Sequence, residues 1–209
     1  MEIYLVHGLS APHWIMKPLA KKLSKMGHTC HLLNYPSRRM NASQAAEHIW
    51  HTLRPKLKTD KPIAIVTHSL GGIVVQHMLD RYRPKGINGL IMIAPPNHGS
   101  ELFTLFTRSI FTRWILYVIG ALPHHDLSYK NTPIAPNVCQ SYPCHLINGI
   151  TRYTLSGRFI PRANDGIVSV KSTEIEHLLS IKTLPYMHMM LIFLNKTANF
   201  IHHCLTEKQ

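Results

Sequence analysis

The stretch Ile63-Ala64-Ile65-Val66-Thr67-His68-Ser69-Leu70-Gly71-Gly72 constrains the fold more than any other part of this 209-residue chain. Its first four residues are apolar and mostly β-branched, which suits a strand buried on both faces inside a parallel sheet. From Leu70 to Tyr82 the pattern becomes that of a largely apolar helix. A strand that passes so abruptly into a helix holds Ser69 on a tight turn and pushes its hydroxyl out of the sheet edge. Such a turn crowds the positions two before and two after the serine. Gly71 meets the second requirement. Thr67 stands at the first, where glycine is usual, and it fits if the neighbouring backbone is glycine.

The rest of the chain alternates in the same manner. Residues 2–6 read as a strand ending at His7-Gly8, and residues 28–33 as a second one. Between them, residues 14–26 read as a helix with Ile15, Leu19, Leu23 and Met26 on one face and Gly27 as its stop. Asn41 and Gln44 form a capping box for a helix carrying Ala45, Ile49 and Leu53, which Pro55 ends or kinks. Residues 89–94 are another buried strand, closed by Pro95-Pro96. Weaker strands are expected at 145–150 and 180–184, then a last helix at 189–205 with Leu191, Leu194, Ala198 and Ile201 in register. Short strands alternating with helices predict a parallel sheet flanked by helices. With no repeat and no linker, residues 1–209 read as one α/β domain with its own core.

One stretch fits this scheme poorly. Residues 102–122 are unusually apolar for a connection, with Arg108 and Arg113 as their only charges. They read either as one or two core helices or, within 102–135, as an apolar cap or insertion. In the second reading Phe103, Phe106 and Trp114 are candidates for the wall that binds substrate.

A serine on a strand-to-helix turn is the context of a nucleophile elbow, which calls for an acid and then a histidine further along the chain. The Leu70 amide, at the head of a helix, is placed to stabilise an oxyanion. Gly8 lets the turn after the first strand bend so that the Leu9 amide supplies the second donor. The acids between Ser69 and the last helix are Asp80, Glu101, Asp126, Asp165, Glu174 and Glu176. Asp80 belongs to the helix after the serine and faces away. Asp165, in the turn-forming run Arg162-Ala163-Asn164-Asp165-Gly166, fits a loop beyond a strand's C-terminal end, where sites of open α/β sheets assemble. After it come His177, His188, His202 and His203. His177 reads as helical and the last two as solvated, so His188, just beyond the last strand, is the expected base. Ser69, His188 and Asp165 together describe acyl transfer through an acyl-enzyme.

Composition narrows the classes. Twenty-three Lys and Arg against ten Asp and Glu give a net charge of +13, an excess that favours anionic surfaces. The basic groups Lys21-Lys22-Lys25, Arg38-Arg39 and Arg81-Arg83-Lys85 lack any nucleic-acid-binding motif or interleaved aromatics, so no nucleic-acid partner is expected. An anionic membrane surface or lipid substrate fits better, because the apolar 102–122 stretch could touch lipid. Neither the pair His48 and His51 nor His124-His125-Asp126 comes with a zinc-site pattern, so no metal is expected. Four cysteines without CxxC spacing read as free thiols, although Cys139 and Cys144 could close a small loop in an oxidising compartment. No apolar run approaches the roughly 18 residues that span a bilayer. The N-terminus has no signal-peptide pattern, and a cytoplasmic protein, at most membrane-peripheral, is expected.

These segments together resemble the α/β-hydrolase superfamily, in particular its small bacterial lipase/esterase-like members. The matching motifs are LVHGLS (5–10), NYPSRR (34–39), THSLGG (67–72), APPNHGSE (94–101), NDGIVSVKST (164–173) and His188 with the Met-Met after it, in the family's order over nearly the whole chain. The resemblance implies an α/β-hydrolase fold: a minimal, mostly parallel sheet of about six strands, without the two leading antiparallel strands of larger relatives, flanked by helices on both faces. It also implies a Ser69-His188-Asp165 triad and lipase or carboxylesterase activity with no cofactor. Thioesterase, amidase or acyltransferase chemistry on the same triad, and a non-catalytic lipid- or partner-binding module, are the competing readings.

Overall fold

A computed structural model describes residues 1–58, 61–107, 137–151 and 153–207 of the chain. Of the expected 102–135 cap or insertion, residues 108–135, with Trp114 and the His124-His125-Asp126 cluster, lie outside them. Six strands form one sheet: β1 (Glu2–Val6), β2 (Thr29–Leu33), β3 (Ile63–His68), β4 (Ile87–Ile93), β5 (Cys144–Gly149) and β6 (Ser180–Leu184). Their order is β2-β1-β3-β4-β5-β6, and every pairing is parallel. A mostly parallel sheet was the expectation; the six strands make a wholly parallel one. All strands therefore end at the same edge of the sheet, and β2 and β6 are its outer strands.

The described helices are α1 (Lys17–Lys25), α2 (Ala42–Leu53), α3 (Leu70–Tyr82), α4 (Glu101–Thr107), α5 (Val138–Ser141), α6 (Val170–Thr173) and α7 (Asn195–Thr206). Alternation along each strand splits the core between the two faces of the sheet. Tyr4 and Val6 of β1 pack with Ile63 and Ile65 of β3 against Ala45, Ile49 and Leu53 of α2 and Val74, Met78 and Leu79 of α3. On the opposite face, Ile3 and Leu5 pack with Ala64, Val66 and Ile91 against Leu19 and Leu23 of α1 and Ala198 and Ile201 of α7. A sheet apolar on both faces needs helices on both, and this chain supplies them.

Local chemistry explains where the elements begin and where they depart from expectation. The Asn41 side chain accepts from the Gln44 backbone N–H at 2.9 Å, and the Gln44 side chain accepts from the Asn41 N–H at 3.1 Å, so the capping box that starts α2 is formed. After Leu53 the chain tightens into a 3₁₀ turn, Arg54–Lys58, which accommodates Pro55. The helix expected over 14–26 is split: His13–Met16 form a 3₁₀ turn, and α1 starts only at Lys17, with Pro18 in its first turn where a missing N–H costs nothing. The last helix is split in the same way. His188–Phe193 form a 3₁₀ turn, Leu194 is extended (φ −82°, ψ 142°), and α7 starts at Asn195. His177, expected within a helix, lies outside any helix with φ 60°.

Candidate functional site

The turn at Ser69 is as tight as the sequence requires. β3 ends at His68 and α3 begins at Leu70, which leaves Ser69 alone between them with φ 52° and ψ −125°, a backbone conformation an L-residue seldom adopts. Strain of this kind costs on the order of 1–3 kcal/mol and persists only where the surroundings impose it. Here the Ser69 N–H donates to the Ile93 carbonyl of β4 at 2.8 Å, and its own carbonyl accepts from the Gly72 N–H at 2.9 Å. Backbone from the end of β1 presses against the turn. A methyl group on Gly71 would lie 2.6 Å from the His7 carbonyl and 2.9 Å from that of Val6. One on Gly72 would sit 2.8 Å from Pro95 Cβ, so the start of α3 packs directly against the turn after β4.

Gly8 completes the approach: a methyl there would come within 3.0 Å of Ser69 Cβ. The backbone after β1 thus runs alongside the serine, and Leu9 follows at once. Leu70 is the first residue of α3, so its N–H has no carbonyl one turn earlier to bond. The turn is braced by His7, whose part the sequence reading missed. Its Nδ1–H donates to the Gly8 carbonyl at 2.8 Å, and its ring stacks on Tyr35 at 4.6 Å. The Tyr35 hydroxyl donates to the His7 carbonyl at 3.0 Å. Burial lowers the His7 pKa and raises that of the Tyr35 phenol, so both act as neutral groups.

The expected acid and base meet. Asp165 Oδ2 accepts from His188 Nδ1 at 2.6 Å, and both side chains are almost fully buried. Asp165 Oδ1 accepts from the Ile167 and Val168 backbone N–H groups at 3.0 and 2.8 Å. The His188 N–H donates to the Asp165 carbonyl at 3.0 Å, so backbone and side chain bind the two residues together. Gly149, at the end of β5, lets the acid settle onto the sheet: a methyl there would lie 2.7 Å from Asp165 Cβ. The Asn164 side chain ties the loop back on itself through Gly157, Arg162 and Gly166.

His68 links this pair to the elbow, a second role the sequence reading missed. Its Nε2–H donates to the His188 carbonyl at 3.3 Å, and the two rings lie 4.8 Å apart. Full burial, reinforced by the neighbouring His188, pushes its pKa down to about 3.

A layer of hydrogen bonds below the site joins two of the sequence motifs. Asn97 Nδ2 donates to the Thr173 carbonyl at 2.8 Å, Ser100 Oγ to the Ile167 carbonyl at 2.9 Å, and Ser169 Oγ to Glu101 Oε1 at 2.6 Å. Segment 94–101 therefore holds segment 164–173, and Gln76 of α3 holds Asn97 through Nε2 and Oδ1 at 2.8 Å. Of the expected substrate wall, Phe103 packs in the core beside Val138 and Leu146, while Trp114 and the Phe106 side chain lie outside the described residues. Among the described residues, no cluster of three His, Cys, Asp or Glu could hold a metal, and all four cysteines are free thiols. The described helices include none long and apolar enough to cross a membrane.

No curated protein matches the sequence. Among solved structures, the mature form of Bacillus licheniformis lipase BlEst2 superposes with a TM-score of 0.83 at 19% identity, over 99% of this chain and 92% of that one. Phospholipase PlaB from Legionella pneumophila gives 0.70 at 17% identity, over 100% of this chain and 61% of its own. The NocB thioesterase domain from the nocardicin cluster gives 0.65 at 17% identity, over 99% and 94%. At these identities the likeness is one of fold. The family model for the alpha/beta hydrolase fold matches residues 3–128, more than half of the sequence, and the chain belongs to that family.

Proposed function

We infer that the protein is a serine hydrolase of carboxylic acyl esters, of lipase or carboxylesterase type. The observation that carries this reading is the 2.6 Å bond between His188 Nδ1 and Asp165, formed at the sheet edge where Ser69 stands on its strained turn. With Nδ1–H given to the carboxylate, the lone pair of His188 sits on Nε2, the nitrogen that serves as base. In the first half-reaction His188 takes the Ser69 proton as Oγ attacks the ester carbonyl. The Leu9 and Leu70 amides stabilise the resulting oxyanion, and His188 returns the proton to the leaving alcohol. In the second, water deprotonated by His188 attacks the acyl-enzyme and frees Ser69. Asp165 holds the imidazole in the required tautomer and balances its positive charge.

A fluorophosphonate probe and a panel of p-nitrophenyl esters from two to sixteen carbons test the reading. The wild type labels at Ser69 and turns over esters; Ser69→Ala does neither. Absence of labelling in the wild type would leave only a non-catalytic binding module. Thioesterase, amidase and acyltransferase chemistry share every step up to the acyl-enzyme. Product analysis with thioester and amide substrates and with alcohol acceptors separates them.

A further inference from the structure

Among the described residues, most of the exposed large apolar side chains lie toward one edge of the molecule, with Leu179 and Ile181, at the start of β6, as the exceptions. Leu155 is 77% exposed, Phe159 66% and Trp14 54%, and Ile167, Met187 and Met190 are 39–42% exposed. All six lie on connections that follow the C-terminal ends of strands: Trp14 after β1, Leu155, Phe159 and Ile167 after β5, and the methionines after β6. Because every strand is parallel, these connections share the edge that carries Ser69, Asp165 and His188. Met187 is next to His188, and Ile167 is two residues from Asp165. The turn bearing Leu155 and Phe159 is fastened to the acid loop: Ser156 Oγ donates to the Gly166 carbonyl at 2.6 Å and Asn164 Nδ2 to the Gly157 carbonyl at 3.2 Å. Leu155 and Phe159 are therefore held out in water by a fixed frame, and exposed apolar side chains, ordinary when scattered singly, mark an interaction surface when they are grouped.

The charge on the same connections has one sign. Arg38 and Arg39 follow β2, and Arg158 and Arg162 follow β5, all four exposed. Within segments 7–16, 34–41, 94–100, 150–169 and 185–194 the sequence places one carboxylate, Asp165, and it is buried and bonded. Among the described residues of these segments the edge thus offers apolar and cationic groups and no exposed acid, and Glu101, next along the chain, is half-buried and accepts from Ser169 Oγ. Nucleic acid would match the positive charge of the arginines and leave Leu155, Phe159 and the methionines in water. A bilayer satisfies both sets at once, apolar groups at the acyl boundary and guanidinium groups among phosphates.

We propose that this edge docks on an anionic phospholipid surface, so that the site faces the membrane directly. The proposal concerns the site read above as acyl-hydrolysing, but docking itself requires no turnover. The test therefore uses the full chain carrying Ser69→Ala, which leaves the lipids intact, in co-sedimentation with vesicles of pure phosphatidylcholine or with about one-third phosphatidylglycerol. The expected partition is about tenfold or more in favour of the anionic vesicles, and it weakens as salt is raised. Replacing Arg158 and Arg162 by Gln lowers it by about fivefold for each charge, and Leu155→Ser with Phe159→Ser lowers it by about tenfold. Arg83→Gln with Lys85→Gln, beyond the far end of α3, leaves it unchanged. Circular dichroism confirms that each variant is folded. The proposal is overturned by equal partition onto neutral and anionic vesicles, by no binding to either, or by an equal loss in the Arg83/Lys85 variant, which would mean diffuse charge rather than this edge. Failure of ester turnover with binding intact would overturn the hydrolase reading alone.

Discussion

The two halves of the site are held in place by different means. The serine half, built on β1 and β3 at the middle of the sheet, is positioned by backbone pressed against backbone: Gly8 and Gly71 lack the side chains that would separate the end of β1 from Ser69. The proposed acid–base half, built on β5 and the outer strand β6, is positioned mainly by hydrogen bonds among side chains and loop amides, from Asn164 through Asp165 to His188, with close packing confined to Gly149 beneath Asp165. Close packing tolerates almost no change in shape, whereas a hydrogen-bonded loop tolerates shape changes but not the loss of a partner. Substitutions on the two sides should therefore fail differently.

The largest expected effect is chemical. Ser69→Ala removes the proposed nucleophile and lowers kcat on p-nitrophenyl esters by about 10⁶-fold with the fold intact; a variant within tenfold of wild type would break the assignment. Asp165→Asn keeps the shape of the acid but loses its charge and favours the wrong imidazole tautomer, for a loss of about 10⁴-fold with KM little changed. Gly71→Ala is the matching test on the packed side. Its methyl meets two backbone carbonyls, so it lowers stability by about 3 kcal/mol in urea unfolding. If Gly71→Ala cost less than Asp165→Asn in stability, the contrast between the halves would be wrong.

A smaller effect concerns the joint between them. His68 is buried with its pKa lowered to about 3 from 6.5, and the pKa of His7 is lowered in the same direction. In the unfolded chain both take up protons below about pH 6.5, which the folded state resists. The contribution of His68 is therefore fully present above that pH and is lost as pH falls toward 3, by up to about 1.4 kcal/mol per pH unit, and His7 acts in the same direction. Urea titrations of wild type and His68→Gln between pH 7 and pH 4 should show a shallower decline in the variant. The smallest effect serves as a control far from both halves. Asn41→Ala removes the cap of α2, costs about 1 kcal/mol and leaves kcat unchanged.

The serine half was the more legible in the sequence for the same reason that it is the more rigid. A strand, a serine and two glycines within ten residues record a local steric demand, and the matching turn at Gly8 lies at the end of the neighbouring strand. Asp165 and His188 could be picked out only by chain order and turn chemistry, because their meeting depends on long-range sheet topology. What stayed hidden was the support around them. Nothing in the residue pattern sets His7 and His68 apart from the histidines outside the site, and their roles arise from burial beside Tyr35 and His188. The close approach of Gly149 to Asp165 was hidden for the same reason. Both terminal helices were read too long, because apolar spacing persists through the 3₁₀ turns at His13–Met16 and His188–Phe193, and only backbone angles separate these from α1 and α7.

The outermost strand has a consequence of its own. β6 pairs on one side only, and Ile181, Lys182 and Thr183 at its centre are exposed to solvent. Such a margin frays at less cost than the interior ladders, through partial opening that leaves the rest of the molecule native. The residue hung from it is the proposed proton acceptor, so warming should silence the protein before it melts, and amide exchange along Ser180–Leu184 would time that silence.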